Sequence, residues 1–76
     1  MPKRLSEMEF GTTGTVMEIR ASSRQINALG IRVGKELRMI TKQPIKGPVV
    51  VSLREVGVAM GLELASEIIV DVRGSE

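Results

Sequence analysis

The stretch "SSRQINALGIRVGKELRM", residues 22–39, restricts the fold more than any other part of the chain. Ile26 and Leu29 stand three apart and share one face of a helix. Gly30 follows where a left-handed terminating residue is wanted, because glycine has no Cβ to clash there. Ser22 and Gln25 fit a capping box, the hydroxyl accepting the amide of residue 25 and the Gln side chain reaching back to the Ser22 amide. About seven helical residues are unstable alone in water. Ile26 and Leu29 must therefore be pinned by neighbouring elements, and the flanking segments read as strands. The helix is a plug in a β fold.

Few ways remain to build the core around it. The chain has 76 residues, no cysteine, no histidine and a single aromatic, Phe10. A domain this small buries only about 60–65% of its unfolded surface. Neither a disulfide nor a structural zinc site with Cys or His ligands can staple it. The core must be made of Leu, Ile, Val, Met and Ala. One domain spanning residues 1–76, with its core at about 4–72, is expected. Apolar runs such as Val49-Val50-Val51 fall far short of the roughly 20 residues of a membrane span. The start "MPKRLSEMEF" has no apolar run after its basic residues, unlike a secretory signal. A soluble cytoplasmic domain is the expectation.

Along the chain, Leu5 to Phe10 reads as a leading turn that drops Leu5 and Met8 toward the core. Gly11 and Gly14 punctuate a turn before a strand at about 14–20. Val16 and Ile19 are three apart, which breaks strict alternation and predicts a bulge or sharp bend. After the helix, "IRVG" turns the chain into a strand at 35–42. Pro44 and "KGP" (46–48) mark a loop, with Pro48 at a strand entrance where its missing N–H is tolerated. Strands follow at 49–53 and 56–61, joined by Arg54-Glu55. Gly57, Ala59 and Gly61 alternate with Val56, Val58 and Met60, giving one small-residue face that lets another backbone approach. "LELAS" forms a tight turn or short 3₁₀ piece, "EIIVDV" (67–72) closes the sheet and "RGSE" is a tail. The fold class is mainly β: a small, strongly bent barrel of about five strands with one short inserted α-helix.

Catalytic readings fail early. The commonest general base and the thiol nucleophile are both absent. Glu63, Glu67 and Asp71 are spaced by four, but the third lies in a strand, so no carboxylate metal site is expected from them. "GIRVGK" (30–35) falls one residue short of a phosphate loop. Glu36 replaces its Ser/Thr, and a strand follows instead of a helix. No catalytic residue, cofactor or metal site is expected.

Charge is distributed unevenly. Residues 1–48 carry nine Lys/Arg against four Asp/Glu (+5), and residues 49–76 carry two against five (−3). Such a basic portion suits nucleic acid or an acidic protein surface. "GTTGTVMEI" resembles the Gly-x-Val-x-x-Ile core of KOW-type ribosomal and elongation-factor barrels, which supports the first partner. Single-strand binders of this size rely on aromatic stacking of about 1–3 kcal/mol per base, and only Phe10 could stack. Grooves for proline-rich peptides need aromatics too.

The second reading comes from a family resemblance. "RQINALGIRVGKELRMI" is similar to the signature of the FeoA domain family: a polar residue, "LG(I/L)", a short turn to glycine, then a strand. Upstream, "LSEMEFGTTGTVMEI" resembles the family's Leu-Ser-x-hydrophobic start and first strand. Downstream, "PIKGPVVVSLREVGVAMGLELASEIIV" parallels its Pro-x-x-Gly-Pro loop, its "V-A-hydrophobic" strand and its closing Ala-x-x-Ile-x-Val. The chain departs from the family at Gly61, where a basic residue is frequent. The resemblance implies an SH3-like barrel with the helix after the first strand. It implies a small bacterial accessory of ferrous iron transport and iron homeostasis, acting in the cytoplasm with the membrane transporter FeoB and its GTP-binding domain. The alternatives are a KOW-like nucleic-acid module, or a stand-alone regulatory domain like that of iron-dependent repressors. On the FeoA reading nucleic-acid binding is not expected, and a homo-oligomer is possible.

A regulator of a GTPase can supply an arginine to transition-state charge, for which Arg24, Arg32 and Arg54 are candidates. A scaffold or regulator that needs no catalytic residue is the preferred reading. With Ile26 and Leu29 inward, Arg24, Gln25 and Asn27 face outward by helical geometry, and Arg32 and Lys35 lie beside the helix exit. These five residues form the candidate partner-binding patch.

Overall fold

The computed structural model describes residues 2–20, 24–42 and 48–72. In chain order its elements are β1 (Pro2–Arg4), a 3₁₀ turn (Leu5–Glu7), β2 (Thr13–Ile19) and α1 (Arg24–Ala28). Then come β3 (Glu36–Lys42), β4 (Val49–Leu53), β5 (Val56–Met60), α2 (Leu62–Ala65) and β6 (Ile68–Val72). The six strands form one antiparallel sheet in the order β1-β6-β2-β3-β4-β5. The architecture is mainly β, as the sequence leads one to expect, with two additions. β1 raises the strand count from about five to six, and "LELA" is a single α-helical turn beside the inserted helix.

The sheet bends where its register slips. Val16 pairs with Val70 and Glu18 with Ile69, so Met17 is an extra residue in β2. The bulge reverses the alternation after Val16 and lets Ile19 pack against the core, which accounts for their spacing of three. A second bulge sits in β3, where Met39 pairs with Val51 and Thr41 with Val50. Its extra residue, Ile40, is exposed.

Inside the bend lies an aliphatic core. Leu5, Met8, Val16, Ile26, Ile31, Leu37, Met39, Val49, Val51, Ile68 and Val70 are all fully buried. Leu5 and Met8 bracket the 3₁₀ turn, with the Met8 amide donating to the Leu5 carbonyl (3.2 Å). Glu7 Oε1 accepts from the Arg4 amide at 3.2 Å and holds the first turn. No polar or charged side chain is buried among the described residues. The fold is thus held by apolar burial of roughly 1.5–3 kcal/mol per large side chain, not by a polar network.

The exit of α1 answers why a helix should stop so abruptly. The Gly30 amide donates to the Asn27 carbonyl (3.0 Å) and the Ile31 amide to that of Ile26 (3.2 Å). These are the paired bonds of a Schellman stop, with Gly30 at φ +84°. The hydrophobic contact that accompanies such a stop joins residues Ile26 and Ile31, both buried. Beyond it the chain locks onto β2: Gly34 N–H donates to Val16 O (2.8 Å) and Val16 N–H to Lys35 O (2.9 Å).

Ser22 of the expected capping box, residues 43–47 of the expected loop and the tail 73–76 lie outside the described residues. Gln25 belongs to α1, but its side chain is likewise outside the description. Pro48 precedes β4 directly. Among the described residues no helix is long and apolar enough to cross a membrane.

Candidate partner-binding groove

Three turns converge at one end of the sheet. The first is the stop of α1, the second the Val33-Gly34 turn into β3, and the third the Arg54-Glu55 turn of the β4–β5 hairpin. Between them lies an open groove of about 620 Å³. Leu29, Leu53, Val56 and Val58 give it apolar walls. The hairpin register explains three of these: Leu53 pairs with Val56, and Val51 with Val58, so they share the face that turns inward. Val58 is buried at the inner end, while Val56 is 61% exposed at the outer end.

Two glycines in the left-handed region, Gly30 (φ +84°) and Gly34 (φ +95°), stand at its edge. A Cβ on either would meet nothing within 4 Å. Lys35, Glu36 and Arg54 supply its polar border. Two cations and one carboxylate beside an apolar wall suit an apolar side chain flanked by acidic groups. The hairpin turn that carries Arg54 is conformationally costly. Arg54 (φ 49°) and Glu55 (φ 73°) both occupy the left-handed region without being glycine. That is the geometry of a type I′ turn, which matches the twist of the strands it joins.

Of the five residues of the sequence-derived patch, Lys35 is half-buried and lines the groove. Arg24 and Asn27 are exposed on α1, and Arg32 is exposed in the turn that follows Ile31. Arg54, Leu29 and Leu53 complete the groove but are missing from the patch. Arg54 was discernible as an exposed arginine; its nearness to Lys35 depends on folding two segments about twenty residues apart. Alternation in "VVVSL" sets Leu53 on the side of Val49 and Val51, away from Ser52, but does not say which other segments meet that side.

Nothing in the groove resembles a reaction centre. Among the described residues, no three of the carboxylates come together in a way that could hold a metal ion. Glu63 lies in α2, Glu67 in the following turn and Asp71 in β6. An aliphatic, strongly bent sheet with a short inserted helix and a shallow apolar groove defines a small SH3-like accessory barrel, a class that is not a known family of enzymes. Its particular kind follows from comparison with known proteins. The FeoA domain family matches over residues 3–72, and the chain belongs to that family, whose members are small proteins associated with ferrous iron transport.

Solved structures agree. The crystal structure of an iron uptake regulatory protein (FeoA) matches with TM-score 0.88 and 29% identity, over 96% of this chain and 99% of that one. FeoA of Stenotrophomonas maltophilia was solved in complex with zinc and described as an SH3 domain protein and a candidate ferrous iron transport activating factor. It matches with TM-score 0.74 and 28% identity, over 93% of this chain and 89% of that one. A manganese-dependent transcriptional repressor matches with TM-score 0.84 and 26% identity, over 92% of this chain but 41% of that one. Comparison with curated proteins gives no significant match.

Proposed function

We propose that this protein is a cytoplasmic accessory that regulates or positions a FeoB-type ferrous iron transporter by docking an acidic segment of the transporter's cytosolic portion. The observation that carries the reading is the apolar groove bordered by Lys35 and Arg54, at the end of the barrel where α1 stops. Arg24, Asn27 and Arg32 are exposed on the same chain segment and extend the contact beyond the groove. Gln25, also of α1, belongs to the patch as the sequence alone assigns it. Burying an apolar anchor in the groove supplies affinity, and the cations govern approach rate and salt dependence. No catalytic group is required, so the mechanism is scaffolding or allosteric control of the transporter's GTP-binding domain. Direct donation of an arginine to GTP hydrolysis is the less economical account.

The test is calorimetric titration of the transporter's cytosolic GTP-binding portion with the parent protein and with Arg24→Glu/Arg32→Glu/Lys35→Glu. The triple variant is expected to keep the parent's thermal midpoint within a few degrees and to lose roughly 1–2 kcal/mol of binding, more at low salt. A folded triple variant that binds and supports ferrous uptake like the parent would exclude this face. Retention of RNA or single-stranded DNA at physiological salt would instead favour the nucleic-acid reading.

A further inference from the structure

The two edges of the sheet are built differently. β1 forms one edge and carries Pro2, Lys3 and Arg4, a proline and two charges of the kind that protect an edge from pairing. β5 forms the other edge and reads Val-Gly-Val-Ala-Met, with no charge, no proline and no bulge. An unguarded edge of this kind accepts another strand.

Hairpin geometry says which groups are on offer. Leu53 and Val56 flank a two-residue turn, so they form a hydrogen-bonded pair. Bonded and non-bonded pairs alternate, which makes Val51/Val58 and Val49/Met60 bonded and Ser52/Gly57 and Val50/Ala59 non-bonded. The N–H and C=O of Gly57 and Ala59 therefore face away from β4. Both residues are exposed, and a Cβ on Gly57 would meet nothing within 4 Å.

We infer that β5 pairs antiparallel with β5 of a second copy of this chain, about a two-fold axis through Val58. In that register Gly57 lies opposite Ala59 of the second copy, and the reverse. These are two bonded pairs made from the outward groups of each strand, giving four hydrogen bonds in all. Shifting the register by one residue sets outward groups against inward ones and forms none. The same register opposes Val56 with Met60 of the second copy. Val56, 61% exposed, is one of the exposed large apolar residues of the structure. The backbone groups and side chains of β5 are thus self-complementary, as an isologous contact requires. A seam of five residues is short, and the dimer is a weak one, half-formed at roughly high-micromolar to millimolar concentration.

The experiment follows the intact protein by analytical ultracentrifugation and by amide exchange across a concentration series. The expected result is a monomer–dimer equilibrium, with protection of the Gly57 and Ala59 amides rising alongside the dimer fraction. Ala59→Pro removes an outward N–H that β4 does not use. It should weaken association by roughly tenfold or more. Ala59→Lys places a charge on the exposed face and should act likewise while the thermal midpoint of the monomer holds, so loss of folding cannot be mistaken for loss of pairing. A protein that stays monomeric to millimolar concentration overturns the proposal. So does a dimer that leaves the two amides unprotected, or amides protected only when a transporter fragment is added. Self-association is read without the transporter, so failure here leaves the docking groove standing.

Discussion

One torsion angle, φ of Gly30, decides how the chain leaves α1. At +84° it points the next amide back to the Ile26 carbonyl and drives Ile31 into the core. A Cβ at this position would meet no atom within 4 Å, so the cost of substitution is torsional and not steric. Gly30→Ala should therefore lower stability by about 1 kcal/mol, and Gly30→Val by more because branching at Cβ narrows the left-handed region further. Chemical denaturation reads both, and unchanged midpoints would show that the stop tolerates an ordinary residue. This glycine was legible in the sequence because its place after Ile26 and Leu29 leaves little else for it to do. Leu5 and Met8 were legible for a similar reason, as the apolar residues of a polar turn. The burial of Ile31 and the exposure of Phe10 (76%) follow from packing between distant segments, which no local pattern announces.

Among the elements, the β4–β5 hairpin was the easiest to read and holds the least expected geometry. Its strands, Val49–Leu53 and Val56–Met60, stand close to where the apolar runs place them. Its turn is made by Arg54 and Glu55, although left-handed residues at both positions favour Asn-Gly. Glu55→Gly should relieve the strain and raise stability by about 0.5–1 kcal/mol net of the added chain entropy, readable as a higher denaturation midpoint. A lower midpoint would mean that the Glu55 side chain contributes more than its backbone costs. β1 was not foreseen, since Pro-Lys-Arg has no strand pattern of its own and is a strand only because it pairs with Ile69–Asp71. The sequence of α2 suggests a tight turn or short 3₁₀ piece, because four residues display no helical period. The bulge at Met17, in contrast, left a visible mark in the displaced spacing of Val16 and Ile19.

At the scale of the whole molecule, the groove could not be read along the chain. Its walls come from the end of α1, the start of β3 and both strands of the hairpin. Of the described residues of the sequence-derived patch only Lys35 lines it; Arg24 and Asn27 follow from helical geometry on one short element, and Arg32 from its place at the helix exit. Composition bears more directly on metal binding. With no histidine or cysteine in the chain, titration with ferrous iron or zinc should show no stoichiometric micromolar site, only weak salt-sensitive binding to carboxylates. A single tight site in calorimetry would overturn that expectation. The pairing of β1 with β6 has one further consequence, for engineering and for gene fusion. Pro2 stands opposite Asp71, so the fold begins and finishes on neighbouring strands, about 5 Å apart across the ladder. A barrel whose two ends meet can be spliced into a surface loop of a host protein, or appended through a short joint, without unravelling either partner. Portability of that kind suits a domain whose likeness occupies 41% of a longer repressor chain.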